Sequence, residues 1–484
     1  MEKAKKNKAL NPYILVILSF LGVILIGSLL LTMPWANHWG KWLFYFEVPE
    51  TGEYNGQTIT YLDCLFTAVS ATCVTGLHTY ANPVAATLTV GGQIVLAAMI
   101  QIGGLGFITI LTFLITLFRS KLEFKNRYFI AQMVNSTNFA DVVKFVRKLI
   151  LISLICELAG TLLGLPVFFS LYPNNPLLAV WNSLFHSISA FNNAGFDLFR
   201  NSMEGGVTTI NGTTLSSGLY VYLCIYTMIL IIVGGISFLV IIEVFSRRKP
   251  SQWRPFTKIV LFTTAILLVG GFIFFFLTEC FAKENKMSVL DAIFQSVTCR
   301  TAGFYTYNQD NLSTASKVVS CVLMFIGGSP ISTAGGIKTT TIYMIVLAMV
   351  SYFSGRRPVS FKRSYSANMV VRAMSLVFSV LILVIGGYIL VSLFGLDPKY
   401  SYDSIGLNST YSMAIAYDIF SAMGTVGLPT GIEAYLSVGS KLTLCLIMFL
   451  GRIGPITVLQ IFQANMDKEN KLHYDYVEED FLIG

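Results

Sequence analysis

Long stretches without any charged residue recur along this chain of 484 residues and limit what it can fold into. Those of at least 20 residues include 13–40, 82–118, 218–242, 259–278 and 373–396. A helix needs about 20 apolar residues to cross a lipid bilayer. Only 12% of the residues are charged, against about 25% in soluble domains. The sequence therefore predicts an integral membrane protein.

The apolar stretches predict eight membrane-spanning helices. Six are expected near 13–33, 92–117, 148–170, 219–244, 258–278 and 373–394, and two more near 318–350 and 441–463. The first stretch lacks a small-residue cleavage site, so we interpret it as a retained helix and not as a signal peptide.

Lysine and arginine cluster on alternate connections between these helices. The clusters occupy the first eight residues and the segments 119–148, 247–258 and 356–372. By the positive-inside rule, we expect both termini and these basic segments to face the cytoplasm in a multi-pass plasma membrane protein. The net charge of +8 is then explained by topology and lipid headgroups. Nucleic-acid binding is not expected, because no basic soluble domain remains to carry it.

The eight cysteines and four histidines form no cluster, and no C-x-x-C pair occurs. Several cysteines lie in apolar stretches, where we expect them to act as small packing residues. A site for a metal held by these side chains is therefore not predicted.

A short segment that starts with an aromatic residue and ends with glycine occurs four times. The copies read FTAVSATCVTG, FHSISAFNNAG, FQSVTCRTAG and YDIFSAMGTVG, and their glycines are Gly76, Gly195, Gly303 and Gly427. Each copy is too short to cross a bilayer, but long enough for a half-helix followed by an extended return. A coincidence among glycine-rich apolar segments is the alternative, since membrane helices use glycine for close packing.

A second pattern follows each copy, inside the helix that comes next. It reads IQIGGLGF, LIIVGGISF, MFIGGSP and MFLGRIGP in the four copies. Two ordered patterns at matching places favour an internal repeat of helix, pore half-helix, glycine loop and helix. We therefore predict an all-α membrane protein with eight spanning and four re-entrant helices around one pore. The four units are expected at 1–118, 119–246, 247–354 and 355–484, with a basic cytoplasmic linker in the second and a cytoplasmic tail in the fourth.

Backbone outside a helix is tolerated at membrane depth only where protein buries it or where it lines a water-filled path. Carbonyl groups of such loops can replace the hydration shell of a cation. Glycine suits this role because it adopts a positive φ freely. We expect the carbonyls of the residues before each glycine to face the axis: Val74, Thr75, Asn193, Ala194, Thr301, Ala302, Thr425 and Val426. None of these residues is acidic or basic, although Arg300 lies beside the third loop.

Two aspartates near the starts of the half-helices support this orientation. Asp63 and Asp291 lie where a capping carboxylate is expected, and we favour capping over direct ion binding. The other end of each half-helix, with its partial negative charge, would then point to the pore.

Taken together, these features resemble the Trk/Ktr/HKT superfamily of potassium transporters over roughly residues 13–463. In that family a filter glycine in all four units accompanies potassium selectivity, whereas plant-type sodium-transporting members carry serine in the first. All four positions are glycine here, so the resemblance implies a bacterial potassium uptake protein that is not an enzyme. It implies K⁺ bound at filter carbonyls and no covalently bound cofactor. The GRIGP segment is most similar to the Ktr branch, but the Trk and Ktr branches both stay open.

The resemblance also implies a gate below the filter. The segment GGSPISTAGGIKTTT at 327–341 resembles the intramembrane gating loop of the family, and Arg452 matches an arginine in its permeation path. A lone arginine inside a membrane segment is costly, which itself indicates a function. The alternatives are a broken helix packed against protein for the segment, and for Arg452 an arginine that reaches the interface or pairs structurally. The expected gate residues are Gly327, Gly328, Ser329, Thr333, Gly335, Gly336, Lys338 and Arg452.

The expected partners also come from the resemblance, namely membrane lipids, a second copy of the chain in a homodimer, and a cytosolic nucleotide-binding regulatory ring. Two other functions stay open. One is a sodium or sodium-coupled transporter of the same architecture. The other is an intramembrane enzyme, which would need paired catalytic groups; Glu157, His78 and His186 offer no evident nucleophile partner.

Overall fold

We analysed a computed structural model of the chain. It describes residues 12–47, 58–80, 83–106, 139–200, 202–206, 212–247, 249–281 and 286–454. The basic first eight residues, most of the basic segment 119–148 and the C-terminal tail lie outside the described residues. The predicted cytoplasmic position of both termini therefore stays a prediction.

The described part of the chain is predominantly α-helical, as predicted. The helices are α1 (Pro12–Leu31), α2 (Tyr61–Cys73), α3 (Val84–Thr87), α4 (Val90–Gly104), α5 (Phe139–Leu171), α6 (Pro176–Phe191), α7 (Ser217–Gly235), α8 (Phe238–Ser246), α9 (Pro255–Glu279), α10 (Val289–Thr298), α11 (Thr314–Phe325), α12 (Thr339–Phe353), α13 (Ala367–Phe394), α14 (Tyr402–Ile405), α15 (Tyr411–Gly424) and α16 (Val438–Ile453). Two short hairpins pair β1 (Tyr45–Glu47) with β2 (Thr58–Thr60) and β3 (Val359–Ser360) with β4 (Arg363–Ser364).

Four of the described helices are long and apolar enough to cross a membrane, namely α5, α7, α9 and α13. The apolar helices α1, α4, α11 and α12 are shorter within the described residues. On α13 the large apolar side chains of Phe378, Ile382, Ile389 and Leu393 are exposed, as is expected of a helix that faces lipid. Four helices of spanning length are thus found in the described part of the chain, and the count of eight stays a prediction.

Two predicted helices are interrupted in the structure. The expected helix 219–244 ends at Gly235 and resumes at Phe238, and the expected helix 318–350 is absent between Phe325 and Thr339. The two breaks meet: Ser329 N–H donates to Gly235 O at 3.2 Å, and Phe238 N–H donates to Ile331 O at 3.0 Å. Each break therefore supplies hydrogen bonds that the other has lost, which apolar patterning alone does not reveal.

The four glycine-terminated segments each form a short buried helix, at α2, α6, α10 and α15. Soon after each helix, one residue adopts a left-handed backbone: Val74 (φ 56°), Asn193 (φ 58°), Thr301 (φ 69°) and Thr425 (φ 50°). The glycine two residues later also has positive φ in all four. A half-helix followed by an extended return is thus what each copy of the repeat forms.

The predicted capping aspartates lie inside the first turn and not before it. Asp63 forms a capping box with Thr60 on α2, and Asp291 forms one with Ser288 on α10. Asp63 also pairs with Lys441 of α16 at 2.8 Å, so it ties the first unit to the fourth. This ion pair was not predicted, because 378 residues separate its partners in sequence.

The short helices pack in a closed cyclic order. Each inner helix contacts the half-helix of the next unit: α4 contacts α6, α7 contacts α10, α11 contacts α15, and α16 contacts α2. Every half-helix therefore lies between its own unit and the preceding one. This order places the C-terminal ends of all four half-helices around one axis.

Glycines of the second pattern allow this close packing. A methyl group added at Gly451 would lie 3.0 Å from the carbonyl carbon of Met423, near the end of α15. One added at Gly103 or Gly234 would meet the carbonyl group of Thr72 or Phe191 in the same way. The inner helix thus approaches the backbone of its half-helix in the first, second and fourth units.

Replacing Gly451 with alanine should destabilise the protein, because backbone cannot yield as a flexible side chain does. We expect a cost of about 1–3 kcal/mol. A lower melting temperature in detergent, followed by fluorescence-detected size exclusion, would show it. The matched control is Gly270→Ala on α9, where an added methyl has no atom within 4 Å. Equal melting temperatures for both variants would contradict this account of the packing.

Candidate ion pathway

The loops that follow the four half-helices meet in a ring. A Cβ atom placed on Gly76 would lie 2.6 Å from Ala194 O, and one on Gly303 would lie 2.5 Å from Val426 O. One on Gly195 would lie 2.8 Å from the Cα of Gly303, and one on Gly427 would meet Thr75 O. Each glycine therefore faces the loop of the next unit, and the fourth unit closes on the first.

The conformation of the loops explains why side chains are absent from this ring. The glycines have φ values of 108°, 72°, 83° and 90° in chain order, a region that favours glycine. Close approach of neighbouring backbones leaves no room for a Cβ. The structure thus brings together all twelve predicted filter residues: Val74, Thr75, Gly76, Asn193, Ala194, Gly195, Thr301, Ala302, Gly303, Thr425, Val426 and Gly427.

Side-chain hydroxyls hold two of the loops to their own half-helices. Ser70 Oγ accepts a hydrogen bond from Gly76 N–H, and Ser421 Oγ accepts one from Gly427 N–H, both at 3.0 Å. Three threonine hydroxyls beside the ring, those of Thr75, Thr301 and Thr425, are buried and have no partner in the described part of the chain. The ring is therefore rich in oxygen and free of acidic side chains.

A cavity of about 370 Å³ opens on one side of the ring, and all four glycines line it. The carboxyl groups of Asp197, Glu204 and Glu433 also line this outer cavity, together with Arg200. These three acids were not among the site residues predicted from the sequence. Asp197 follows Gly195 by two residues, which was the available signal. Asp197 and Glu204 belong to the second unit and Glu433 to the fourth, so only the fold brings all three together.

The other side of the ring is covered by the segment between α11 and α12. Thr333 Oγ1 donates to Gly234 O at 2.8 Å and to Phe191 O at 3.2 Å, at the end of α6. A Cβ on Gly335 would lie 3.1 Å from Gly424 O and would also meet the side chain of Thr425. The segment therefore lies beneath the second and fourth half-helices. It is shorter than predicted, because residues 339–341 already belong to α12.

The remaining predicted gate residues lie in the same place. Ser329 Oγ donates to Gly235 O at 2.8 Å, and Lys338 Nζ donates to Ala334 O at 2.7 Å. A Cβ on Gly327 or Gly336 would clash with backbone on the facing side of the segment, and one on Gly328 would meet Ala334. The segment is thus folded tightly on itself.

Arg452 donates hydrogen bonds to backbone carbonyls of two other units, on the side of the ring away from the outer cavity. Its Nη1 donates to Thr333 O at 2.5 Å, and its Nη2 donates to Gly103 O and, at 3.4 Å, to Gly104 O. The guanidinium therefore connects the fourth unit to the interrupting segment and to the first unit. The side chain is half-buried and ends on backbone carbonyls, which fits the alternative of structural pairing and not that of an arginine that reaches the interface.

Arg300 forms a second link of this kind. It is buried, and its Nη2 donates to Gly327 O at 3.0 Å, at the start of the interrupting segment. The residue follows α10 and precedes the third loop, so it joins that loop to the segment below it. The sequence indicated its position but not this contact.

The side chains weighed for an enzyme have structural hydrogen bonds. Glu157 Oε1 accepts from Gln101, Ser153 and Asn192, and His186 Nε2 bonds to Thr227 Oγ1 at 2.8 Å. His78 Nδ1 lies 3.3 Å from Tyr80 O. The contacts of Glu157 and His186 join neighbouring helices, and that of His78 lies within the loop that follows α2.

Comparison with known proteins gives a consistent assignment. Residues 41–474 match the family described as TrkH, cation transport protein. The chain is 32% identical to the potassium/sodium uptake protein NtpJ of Enterococcus hirae, over 100% of this chain and 99% of that protein. It is 30% identical to the Ktr system potassium uptake protein B of Bacillus subtilis, over 96% and 95%.

Among solved structures, the potassium transporter TrkH from Vibrio parahaemolyticus superposes with a TM-score of 0.65 at 17% identity. The match covers 95% of this chain and 86% of that one, and it shows a shared fold. The family match over most of the chain and full-length relatives above 30% identity lead to one conclusion: this chain belongs to the TrkH family of cation transport proteins.

Proposed function

We propose that this chain takes up potassium ions across the cell membrane, passively and down their electrochemical gradient, through the ring formed by its four glycine loops. The observation that carries this proposal is the closed ring itself, in which each glycine backbone faces the loop of the next unit. Carbonyl groups of such loops can replace the hydration shell of a cation. The filter would comprise the three residues of each loop, 74–76, 193–195, 301–303 and 425–427.

The half-helices and the outer cavity favour a cation on physical grounds. The C-terminal ends of the half-helices carry partial negative charge and surround the ring. The carboxyl groups of Asp197, Glu204 and Glu433 line the outer cavity, where acidic groups raise the local concentration of cations. The names of the relatives support potassium, and the name of NtpJ also supports sodium as a second candidate ion.

The direct test is transport by the purified protein. We expect the chain to restore growth of uptake-deficient cells at limiting potassium and to carry rubidium into liposomes. Cells that carry the empty vector, and liposomes without protein, are the controls. No growth rescue together with no rubidium flux, in the presence of a regulatory partner, would contradict the proposal.

Replacing Gly76 with serine should lower the ratio of potassium to sodium flux. Residue 76 has a φ of 108°, and a Cβ added there would lie 2.6 Å from Ala194 O. The ring must therefore open to admit the serine side chain. Fluxes of both ions in liposomes measure the ratio. The matched control is Gly40→Ser, which places a side chain at a φ of +62° with no atom within 4 Å. An unchanged ratio in Gly76→Ser would argue against this filter.

We further propose that the segment 327–338 and Arg452 form the gate. The segment lies beneath the half-helices, and its hydrogen bonds to Phe191, Gly234 and Gly235 hold it there. A fixed positive charge at Arg452 opposes a cation below the ring, since like charges repel strongly where water is scarce. Opening would require the segment to leave these carbonyls.

Replacing Arg452 with alanine should raise flux severalfold in the absence of any regulatory partner. The change removes the charge and the hydrogen bonds to Thr333 and Gly103. Arg452→Lys retains the charge without the two-armed contact, so a smaller rise in that variant would separate the two effects. The control is Arg372→Ala, which removes an exposed arginine from α13. Equal flux in wild type, Arg452→Ala and a variant with residues 329–335 shortened would exclude this gate.

The proposed assembly follows from the chain's own symmetry. Four units in one chain already close the ring, so a homodimer would contain two separate pores. We propose a cytosolic nucleotide-binding ring as the regulatory partner, which would act on the gate from the cytoplasmic side. The Bacillus subtilis relative is named as part of a Ktr system. A system of several proteins agrees with the proposal of a separate regulatory partner.

A further inference from the structure

Two buried carboxyl groups meet behind the fourth loop of the ring. Asp418 lies on α15 with 2% of its surface exposed, and Glu433 lies in the return segment with 3% exposed. Asp418 accepts a hydrogen bond from Thr430 N–H and Glu433 accepts one from the next N–H, that of Gly431, so the two carboxyl groups lie next to each other. A hydrogen bond between two carboxyl groups requires a proton on one of them, because an ionised carboxylate only accepts.

The other hydrogen bonds of the pair leave one oxygen of each carboxyl group without a donor, and a proton could be shared there. Asp418 Oδ1 accepts from the N–H and Oγ1 of Thr430, at 3.2 and 2.9 Å. Glu433 Oε2 accepts from Gly431 N–H at 3.0 Å. The remaining oxygens, Asp418 Oδ2 and Glu433 Oε1, are buried and have no donor among the described residues. One proton between them would satisfy both.

The lysines of α11 and α16 are paired with other groups. Lys317 on α11 is held by Asp310 and Ser409, and Lys441 on α16 pairs with Asp63. The other titratable groups that interact with the pair are neutral at ordinary pH: Tyr305, Tyr402, Tyr417 and Cys321. Arg200, Asp197, Glu204 and His78 line the outer cavity that Glu433 also reaches. Two like charges in contact and away from water cannot both stay ionised.

The pair occupies a place where the other units use uncharged groups. Asp418 follows the aromatic residue that begins its copy of the repeat, as do Thr67, His186 and Gln295 in the other units. Gln295 donates to Gln309 Oε1 at 2.7 Å, and His186 bonds to Thr227 at 2.8 Å. In these units neutral hydrogen bonds join the half-helix to a neighbouring segment. In the fourth unit two acidic side chains lie where the half-helix meets the return segment.

We propose that Asp418 and Glu433 form a proton-binding site that holds a single proton, and that this proton keeps the fourth loop in its conducting conformation. The pair connects α15 to the return segment on both sides of Val426 and Gly427. Loss of the proton leaves two facing negative charges, which push the half-helix and the return segment apart. Potassium flux therefore falls as the external pH rises. This consequence, but not the proton itself, rests on the proposed function.

Infrared difference spectroscopy tests the proton without any transport. We expect the wild-type protein at neutral pH to show a band from a protonated carboxyl that is absent from both Glu433→Gln and Asp418→Asn. In each variant the new amide donates to the remaining carboxylate. The connection between α15 and the return segment is therefore retained without a shared proton. The control is Glu279→Gln, since Glu279 is equally buried but already accepts from Ser313 N–H and Oγ. The same band in wild type and in both pair variants would overturn the proposal.

Rubidium flux into liposomes tests the consequence. We expect wild-type flux to fall at least about twofold between external pH of about 7 and about 10, the range in which buried carboxyls lose their protons. Flux in Glu433→Gln should stay level over that range, and Glu279→Gln should follow the wild type. A parallel fall in wild type and Glu433→Gln would overturn the regulatory role. Absence of flux in every variant would instead count against the proposed function, while the infrared result would still decide the proton.

Discussion

Backbone that leaves the helical conformation inside a membrane must find hydrogen bonds within the protein, and the rest of this structure depends on how it does so. Four half-helices end near one axis, and the loops that follow them turn through a left-handed residue and a glycine. Each loop bonds to its own half-helix and faces the next loop. The same geometry that satisfies the backbone also produces a ring of inward-facing oxygen atoms.

The interrupted helices below the ring follow the same constraint. The break after Gly235 and the segment that begins at Gly327 exchange hydrogen bonds, so neither leaves its polar groups unpaired. Arg452 and Arg300 add donors to carbonyls that a continuous helix would have occupied. A gate built in this way is stable while closed, because opening it requires several hydrogen bonds to be replaced at once. A regulatory partner could provide the free energy for that exchange.

Departures from fourfold symmetry concentrate at places where control is useful. The third unit alone has the long interruption, and the fourth has an arginine where the others have Gly104, Gly235 and Gly328. The fourth also has an acid where the others have a threonine, a histidine and a glutamine. In the proposed function the repeat supplies conduction, and we propose that the exceptions act on it through Arg452 and Asp418.

The amino-acid sequence by itself determined the membrane class, the four half-helices and the positions of the four glycines, because these depend on local composition and spacing. It also placed the interruption of the third unit to within a few residues and marked Arg452 as an unusual residue for a membrane segment. Only the tertiary structure decided which carbonyls Arg452 binds, that the second inner helix is broken, and that Lys441 pairs with Asp63. The nearness of Asp418 to Glu433 and the acids that line the outer cavity were decided in the same way. These contacts join residues from different units or from opposite sides of a loop, and one-dimensional spacing holds no record of such distances.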